Sequence, residues 1–369
     1  MTKQELLQRK KQLEKDISKY KNLQLAKKVQ LNSAYGALGN QYFRFFDVRM
    51  AESITLSGQL SIRWIEARMN EYLNKLLKTE GEDYVIASDT DSLYITFDKL
   101  VDKVLPKGGD LSEDDYTRKC VDFLDNVARQ KIEPFIDQSY QNLADLMNAY
   151  DQKMFMKREA IADKGIWTAK KRYALNVYDN EGVRYSEPKL KVMGMEIVKS
   201  STPASCREAL KSAVKLIMSS DETTVQKYVA DFREQFKSLP FEEVAFPRGV
   251  TDLTKYQTNG KELEIMKSTP IHVRGSLLYN HLLKQHKLEK RYESIKDGEK
   301  VKFCYLRTPN PVRQNVLSIM SSLPKEFGLS DYIDYDTQFN KAFLEPISAI
   351  LGAIGWNAEK KATLEGFFT

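Results

Sequence analysis

The stretch Tyr84–Phe97, YVIASDTDSLYITF, is the part of the sequence that most directly predicts a fold. Two apolar runs rich in β-branched and aromatic residues, 84–87 and 93–97, flank a short polar segment, which is typical of an antiparallel hairpin. Asp89 and Asp91 are two residues apart, and residues with this spacing lie on the same side of a strand. The sequence therefore predicts a hairpin that presents two carboxylates together.

Paired carboxylates of this kind have a specific chemistry. They repel each other unless a cation lies between them. Mg²⁺ binds one or two protein carboxylates together with waters and substrate phosphates, and two such ions can stabilise both oxygens of an in-line displacement. An Asp-x-Asp motif also occurs in sugar-nucleotide transferases, calcium loops and ordinary turns, so the hairpin alone leaves these alternatives open.

A second group of polar residues lies in Lys28–Gly36, KVQLNSAYG. On a helix, Lys28, Asn32 and Tyr35 share one face. A lysine, an amide and a tyrosine in line can hold a triphosphate at one end and a base at the other, and Gly36 lets the backbone approach a flat ligand. A helix that ends with Gly36 as its C-cap explains the same residues without any ligand.

Length and composition indicate a globular protein of two or three domains. The chain has 369 residues, of which 42% are hydrophobic and 29% charged, and this composition excludes a disordered chain. It contains no apolar run of about 20 residues, so no membrane span is expected. The net charge of +6 is too small to identify a partner. The basic groups in 1–28 and 164–172 favour phosphate backbones, and a solvated helix face is the alternative for each of them.

The hydrophobic periodicity changes several times along the chain and predicts an α+β protein. Helical spacing is found in 1–31, 50–78 and 118–150, whereas 153–199 is typical of strands around a turn at Asp179–Gly182. Helical spacing returns after about residue 200 and is interrupted by a strand at 300–306, so a domain boundary is expected near residue 200. The aromatic residues of 42–46 are expected to pack in a core rather than stack on bases.

The order of three motifs gives this sequence a resemblance to a known family. Lys28–Gly36, then Asp89–Ser92, then Lys170–Tyr173 resemble the family B DNA polymerases, and the segments 37–40, 70–74, 189–196 and 200–203 are similar to the replicative polymerases of T-even-type bacteriophages. The resemblance implies a polymerase right hand with a partial fingers helix, a palm whose antiparallel sheet packs on helices, and a mostly helical thumb. Its divisions are 1–36 for the second fingers helix, 37–200 for the palm, 201–359 for the thumb and 360–369 for a clamp-binding tail.

The resemblance also implies an activity and assigns residues to it. The activity is template-directed DNA synthesis, in which a nucleotidyl group passes from a dNTP to a primer 3′-OH with two Mg²⁺ ions, for which Mn²⁺ can substitute. Asp89 and Asp91 are implied as catalytic metal ligands, and the nucleotide contacts are implied at Lys28, Asn32, Tyr35 and Gly36. The primer–template contacts are implied at Lys170, Lys171, Arg172, Tyr173, His272 and Arg274. Glu159 corresponds to an accessory acid, although Lys157 stands where the family has aspartate, which weakens that role.

The same resemblance implies partners. Leu364, Phe367 and Phe368 resemble a motif that binds a sliding clamp, and an amphipathic end folded on its own thumb is the alternative. The family's other palm aspartate, in Asp-x-x-Ser-Leu-Tyr-Pro-Ser, and its exonuclease are expected upstream and are not found, so a separate N-terminal half is expected to supply them. An engineered fragment is the rival explanation, and a non-catalytic DNA-binding or clamp-tethering subunit is the alternative function. The phage resemblance implies the cytoplasm of a bacterial host, with no membrane partner.

Overall fold

A computed structural model describes residues 2–108, 112–256, 263 and 265–360. Within these residues the chain is a mixture of helices and small antiparallel sheets, which confirms the predicted α+β class. It divides into two compact units. Unit 1 comprises Met1–Tyr116 and Asp122–Arg158, and unit 2 comprises Thr117–Val121 and Glu159–Thr369.

Unit 1 begins with two long helices. Helix α1 (Lys3–Leu38) starts at a capping box formed by Thr2 and Glu5, and none of its residues is buried. Helix α2 (Val48–Leu77) starts at Asp47, whose side chain accepts a hydrogen bond from the Arg49 amide, and ends at Lys78 in the left-handed conformation. The predicted helices are therefore confirmed, and α1 extends further than the periodicity of 1–31 indicates.

The predicted hairpin follows α2. Strand β1 (Val85–Asp89) pairs antiparallel with β2 (Ser92–Ile95), and Asp89 lies opposite Ser92. The register shifts between Val85 and Ala87, which is the mark of a bulge. Helices α3 (Asp98–Val104), α4 (Glu113–Val127) and α5 (Glu133–Leu146) follow, and Thr117–Val121 of α4 are the part counted with unit 2. The core of unit 1 lies between α2, α5 and the hairpin.

The single helix predicted for 118–150 is interrupted. A π-helical turn, Ala128–Ile132, separates α4 from α5. Pro134 follows it in the first turn of α5, where a missing amide proton costs no helical hydrogen bond. Pro134 therefore begins a new helical segment, directly after the turn that contains an extra residue.

The aromatic segment of 42–46 contradicts the prediction that it packs in a core. Tyr42 is 88% exposed and Phe45 is 65% exposed, and Phe43 and Phe46 are also exposed. The segment joins α1 to α2 at the end of unit 1 that has no buried residues, because burial in α2 begins only at Ser61. These apolar side chains have no core of their own unit to enter.

Unit 2 opens with a three-stranded antiparallel meander. Strands β3 (Ala160–Ala169), β4 (Arg172–Asn180) and β5 (Val183–Met193) are joined by short turns, which confirms the β-rich region and its predicted turn. A short 3₁₀ helix, Glu196–Val198, follows β5. The helical pattern then returns with α6 (Ala204–Ser219) and α7 (Glu222–Lys237).

The rest of unit 2 is a second sheet enclosed by helices. Strands β6 (Phe246–Gly249), β7 (Lys300–Tyr305) and β8 (Val316–Ile319) form the sheet, of which only β7 was predicted. The helices are α8 (Phe241–Val244), α9 (Leu253–Tyr256), α10 (Ile271–Gln285), α11 (Tyr335–Phe339) and α12 (Glu345–Gly352). A large apolar cluster joins these elements to α6 and α7. Among the described residues, no helix is long and apolar enough to cross a membrane.

Candidate active site

The turn of the β1–β2 hairpin carries the two aspartates. Asp89 is the last residue of β1, and its carbonyl oxygen accepts hydrogen bonds from the Asp91 amide at 2.6 Å and from Ser92 Oγ at 3.1 Å. Thr90 adopts φ 54°, in the left-handed region, and its hydroxyl donates to Asp89 Oδ1 at 3.0 Å. Asp91 therefore lies in the turn rather than in the strand. The tight turn, not strand alternation, brings the two residues together.

Helix α2 holds the beginning of β1 in place. Asn70 Oδ1 accepts hydrogen bonds from the amides of Tyr84 at 2.9 Å and Val85 at 3.0 Å, and its Nδ2 donates to Asp83 Oδ1 at 2.8 Å. Further along β1, Ser88 Oγ donates to Glu66 Oε2 at 3.1 Å. Both ends of the strand that leads to Asp89 are thus bonded to α2.

The connection between α2 and β1 is bonded in the same way. Asn74 Nδ2 donates to the Glu82 carbonyl at 2.7 Å, and Asn74 Oδ1 accepts from the Glu82 amide at 3.1 Å. Thr79 Oγ1 donates to Asn74 Oδ1 at 2.9 Å and lies 2.8 Å from the Tyr84 hydroxyl. Two asparagines one helical turn apart therefore fix the path of the chain into the hairpin.

Tyr140 of α5 is a buried neighbour of the turn. Burial, together with the negative charge of Asp91, raises the pKa of Tyr140 to about 12. The phenol is therefore protonated at neutral pH and has a hydrogen to donate. Tyr140 belongs to the core of unit 1, and the charge of Asp91 is the smaller of the two causes of its raised pKa.

The predicted nucleotide-binding residues lie on α1 and are exposed. Lys28, Asn32, Tyr35 and Gly36 all lie within the helix, which is capped at Gly39. The alternative in which Gly36 ends the helix is therefore wrong. The Tyr35 hydroxyl lies 2.7 Å from Thr55 Oγ1 of α2, and a Cβ on Gly36 would have no atom within 4 Å. This face of α1 has open space for a ligand, and Tyr35 is oriented by α2.

Glu159, the predicted accessory acid, belongs to unit 2. It lies immediately before β3, and its carboxylate accepts a hydrogen bond from Lys191 Nζ of β5 at 2.6 Å. Lys157, which replaces the aspartate expected nearby, is exposed. The ion pair with Lys191 offsets the charge of Glu159, which adds to the doubt about an acidic role here.

The predicted DNA contacts of unit 2 have different environments. Lys170 and Lys171 form the exposed two-residue turn between β3 and β4. Arg172 makes two hydrogen bonds to Glu196, at 3.0 and 2.7 Å. Tyr173 is buried, and its ring lies 6.0 Å from that of Trp167. Only the two lysines of this group are presented directly to solvent.

His272 and Arg274 lie in the first turn of α10. The His272 carbonyl accepts hydrogen bonds from Ser276 Oγ at 2.7 Å and from Ser318 Oγ of β8 at 2.8 Å. Burial and the nearby positive charge of Arg248 lower the pKa of His272 from its ordinary value, so the ring is neutral at pH 7. Arg274 is the cation at this helix end, and its Nη1 lies 3.5 Å from Asn315 Oδ1.

The aspartate turn fits a magnesium ion by its chemistry. Among the described residues no group of three or more His, Cys, Asp or Glu side chains is placed to hold a metal. Mg²⁺ needs only one or two protein carboxylates when substrate phosphates and waters complete its shell, and Asp89 and Asp91 provide that number. The predicted clamp-binding residues Leu364, Phe367 and Phe368 lie outside the described residues.

Sequence reasoning missed the residues that support these groups. Asn70 and Asn74 belong to a segment noted for its resemblance, and their spacing places both on one side of α2. Two amides on the side of a helix that also buries Met69 and Leu73 are a signal that they bond to backbone. No signal connects Glu196 to Arg172, because they are far apart in sequence.

Comparison with known proteins shows which sequences this chain is similar to. Residues 1–113 match DNA polymerase family B. The chain is 39% identical over 357 residues to the DNA-directed DNA polymerase of Enterobacteria phage T4, and equally to that of Escherichia phage RB69, covering 94% of this chain in each case. A shorter similarity, 40% over 75 residues, relates 20% of the chain to 8% of DNA polymerase II of Escherichia coli strain K12. The chain spans 38% of the length of the phage relatives. The chain is therefore similar to part of these DNA-directed DNA polymerases, and its first 113 residues match the model of DNA polymerase family B.

Proposed function

We propose that this chain contributes to template-directed DNA synthesis as the part of a family B DNA polymerase that carries Asp89 and Asp91. The observation that carries the proposal is the aspartate turn, in which both carboxylates are supplied by one tight hairpin bonded to α2. The homology to phage DNA-directed DNA polymerases makes nucleotidyl transfer the reaction that best suits such a pair.

Each group of residues has a role in this proposal. Asp89 and Asp91 hold Mg²⁺ or Mn²⁺, which when bound polarises phosphoryl oxygens and favours ionisation of a primer 3′-OH. Lys28 neutralises charge on the triphosphate of the incoming dNTP, and Asn32 orients it. Tyr35, held by Thr55, lines the nascent base pair where Gly36 leaves room. Lys170, Lys171, Arg274 and the segment at His272 contact the primer–template backbone, for which the two exposed lysines are the best suited.

A second polypeptide completes the proposed enzyme. Two aspartates are few ligands for two metal ions, and the expected N-terminal half would add the remaining palm carboxylate and the exonuclease. The exposed apolar side chains of unit 1 support such a partner, since Leu6, Leu13 and Ile17 of α1 and the aromatic segment of 42–46 lie open to solvent. We propose that the separate N-terminal half covers this surface, so that the chain alone incorporates no nucleotide.

Two further assignments follow from the family. Leu364, Phe367 and Phe368 are proposed to bind a sliding clamp, which would hold the polymerase on DNA. The site of action is proposed to be the cytoplasm of a phage-infected bacterial host.

The decisive experiment is primer extension by this chain mixed with the N-terminal portion of a family B phage polymerase. Asp91→Ala is expected to reduce extension by at least about a hundredfold, the scale of removing one group that stabilises a transition state. Primer–template affinity is expected to change little. Asp102→Asn, an exposed aspartate on α3 of the same unit, is the matched control and is expected to retain extension.

The same experiment distinguishes between the two functions considered for the chain. Full extension by the Asp91→Ala mixture would show that catalysis does not depend on this turn. It would favour the alternative, a non-catalytic DNA-binding or clamp-tethering subunit. Robust extension by the wild-type chain without a partner would contradict the two-chain assignment while leaving the role of Asp91 intact.

A further inference from the structure

The Lys170–Lys171 turn is held in a conformation that lysine does not favour. It joins β3 to β4 with two residues, since Ala169 pairs with Arg172. Lys171 has φ 63°, in the left-handed region that residues with a Cβ seldom adopt. A two-lysine turn with this geometry needs support from outside the hairpin.

Gly194 provides part of that support. It follows β5 with φ +66°, and a Cβ built on it would lie 2.1 Å from the Lys171 carbonyl oxygen and 3.3 Å from Arg172 Cγ. No side chain can occupy that position. The backbone of Gly194 therefore lies directly against the turn, and its contact limits where the Lys171 peptide can move.

Glu196 provides the rest. Its carboxylate accepts hydrogen bonds from Arg172 Nη1 at 3.0 Å and Nη2 at 2.7 Å, and a third from Lys199 Nζ at 2.9 Å. The Arg172 and Glu196 side chains are 28% and 22% exposed, so both are largely withdrawn from solvent. A two-bond arginine–carboxylate pair fixes direction as well as distance. Arg172 is the first residue after the lysine turn, and Glu196 therefore anchors the root of that turn.

We infer that Glu196 is a positioning residue for DNA binding, which together with Gly194 and Arg172 holds Lys170 and Lys171 toward the nucleic acid. Arg172 directs both of its terminal guanidinium nitrogens to Glu196 instead of to a phosphate. This inference rests on the proposed function, and it gives Arg172 a different role from the direct DNA contact that the family resemblance implies. Arg172 then adds no phosphate contact of its own to the turn.

The salt dependence of DNA affinity distinguishes a positioning arginine from a phosphate contact. Each phosphate contact contributes about 0.9 to the slope of log affinity against log salt concentration. We expect Arg172→Gln and Glu196→Gln to weaken binding of a primer–template duplex by a similar factor, about two- to tenfold for a coupled pair, with the slope unchanged. The double variant should be no weaker than either single one. Lys170→Gln should lower the slope by about 0.9.

The matched control is Glu187→Gln, an exposed glutamate of β5, which should leave affinity unchanged. Exchanging the charges, in Arg172→Glu with Glu196→Arg, should restore part of the affinity lost in Arg172→Glu alone. The inference is overturned if Arg172→Gln lowers the slope by about 0.9 while Glu196→Gln leaves affinity equal or increases it. In that case Arg172 contacts a phosphate and Glu196 competes with it.

Hydrogen exchange tests the support of the turn without DNA. Glu196→Gln and Arg172→Gln should each accelerate exchange of the Lys171 and Arg172 amides, and Glu187→Gln should not. If the wild-type chain does not bind the primer–template duplex, the DNA-binding function proposed for this turn is wrong. Unchanged exchange in both variants would reject the anchoring role of Glu196 whatever the duplex affinity is.

Discussion

Replacing Asn70 with alanine should loosen the aspartate hairpin from α2. The Asn70 amide accepts hydrogen bonds from the Tyr84 and Val85 amides and donates one to Asp83. Tyr84 and Val85 are only 2% and 4% exposed, so water has poor access to the amides that lose their acceptor. A buried donor without a partner costs about 1–3 kcal/mol, and two of them beside a partly exposed side chain give about 2–4 kcal/mol.

The same change should disturb the position of Asp89. The bulge between Val85 and Ala87 determines which residues of β1 pair with which residues of β2. The two hydrogen bonds to Asn70 hold the strand just before that bulge. A shift of one residue would turn every side chain of β1 to the other face. We therefore expect Asn70→Ala to lower extension by the reconstituted polymerase as well as the free energy of unfolding of unit 1.

Trp64 is a suitable reporter for this experiment. It lies on α2, its Nε1 donates to the Ser139 carbonyl at 2.9 Å, and the chain's two other tryptophans, Trp167 and Trp356, belong to unit 2. Urea unfolding followed by Trp64 fluorescence in a Trp167→Phe, Trp356→Phe background measures the free energy of unfolding of unit 1 alone. The control is Asn142→Ala, the same change at an exposed position of α5.

A charge-preserving exchange refines the test. Asn70→Asp keeps the acceptor for both amides but places a second carboxylate beside Asp83, and adding Asp83→Asn restores a donor for the new carboxylate. The double variant should therefore recover most of the stability lost in Asn70→Ala. An ordinary surface substitution changes the free energy of unfolding by less than about 0.5 kcal/mol. If Asn70→Ala has an effect this small, the Tyr84 and Val85 amides are not buried donors that depend on Asn70.

Two further predictions concern unit 2. Gly275→Ala should destabilise the unit by about 1–3 kcal/mol, because an added Cβ would lie 2.7 Å from the Ser318 amide nitrogen and would push α10 away from β8. The melting temperature of this variant should therefore be lower than that of the control Gly249→Ala, whose position has no atom within 4 Å of an added Cβ. Glu196 is partly buried, which disfavours its charge, but hydrogen bonds from Arg172 and Lys199 outweigh burial and lower its pKa from 4.5 to about 2. The stability that this group contributes is therefore present above about pH 4.5 and is lost as the pH falls toward 2, and Glu196→Gln should flatten the pH dependence of unfolding in that interval.

Local signals were sufficient for the elements that hold the site. The aspartate hairpin was predictable because alternating apolar residues and a polar turn act within a dozen residues, and the long helices were predictable because periodicity accumulates along them. The end of α1 was not, since Gly36 and Gly39 are both acceptable caps and the helix continues to Leu38. The exposure of the aromatic segment was not predictable either. Apolar composition indicates that residues tend to be buried, but it does not show which surface they pack against.

The residue types of the site were therefore set by the sequence, and their arrangement by the tertiary structure. Asp89, Asp91, Lys28 and the lysine turn were assigned through the family resemblance, which the sequence carries because each motif is contiguous. The bonds from Asn70 to β1 and from Glu196 to Arg172 join residues whose separation in the chain carries no information about contact. A hydrogen bond requires two groups within about 3 Å of each other, and only the packed backbone decides which pairs reach that distance.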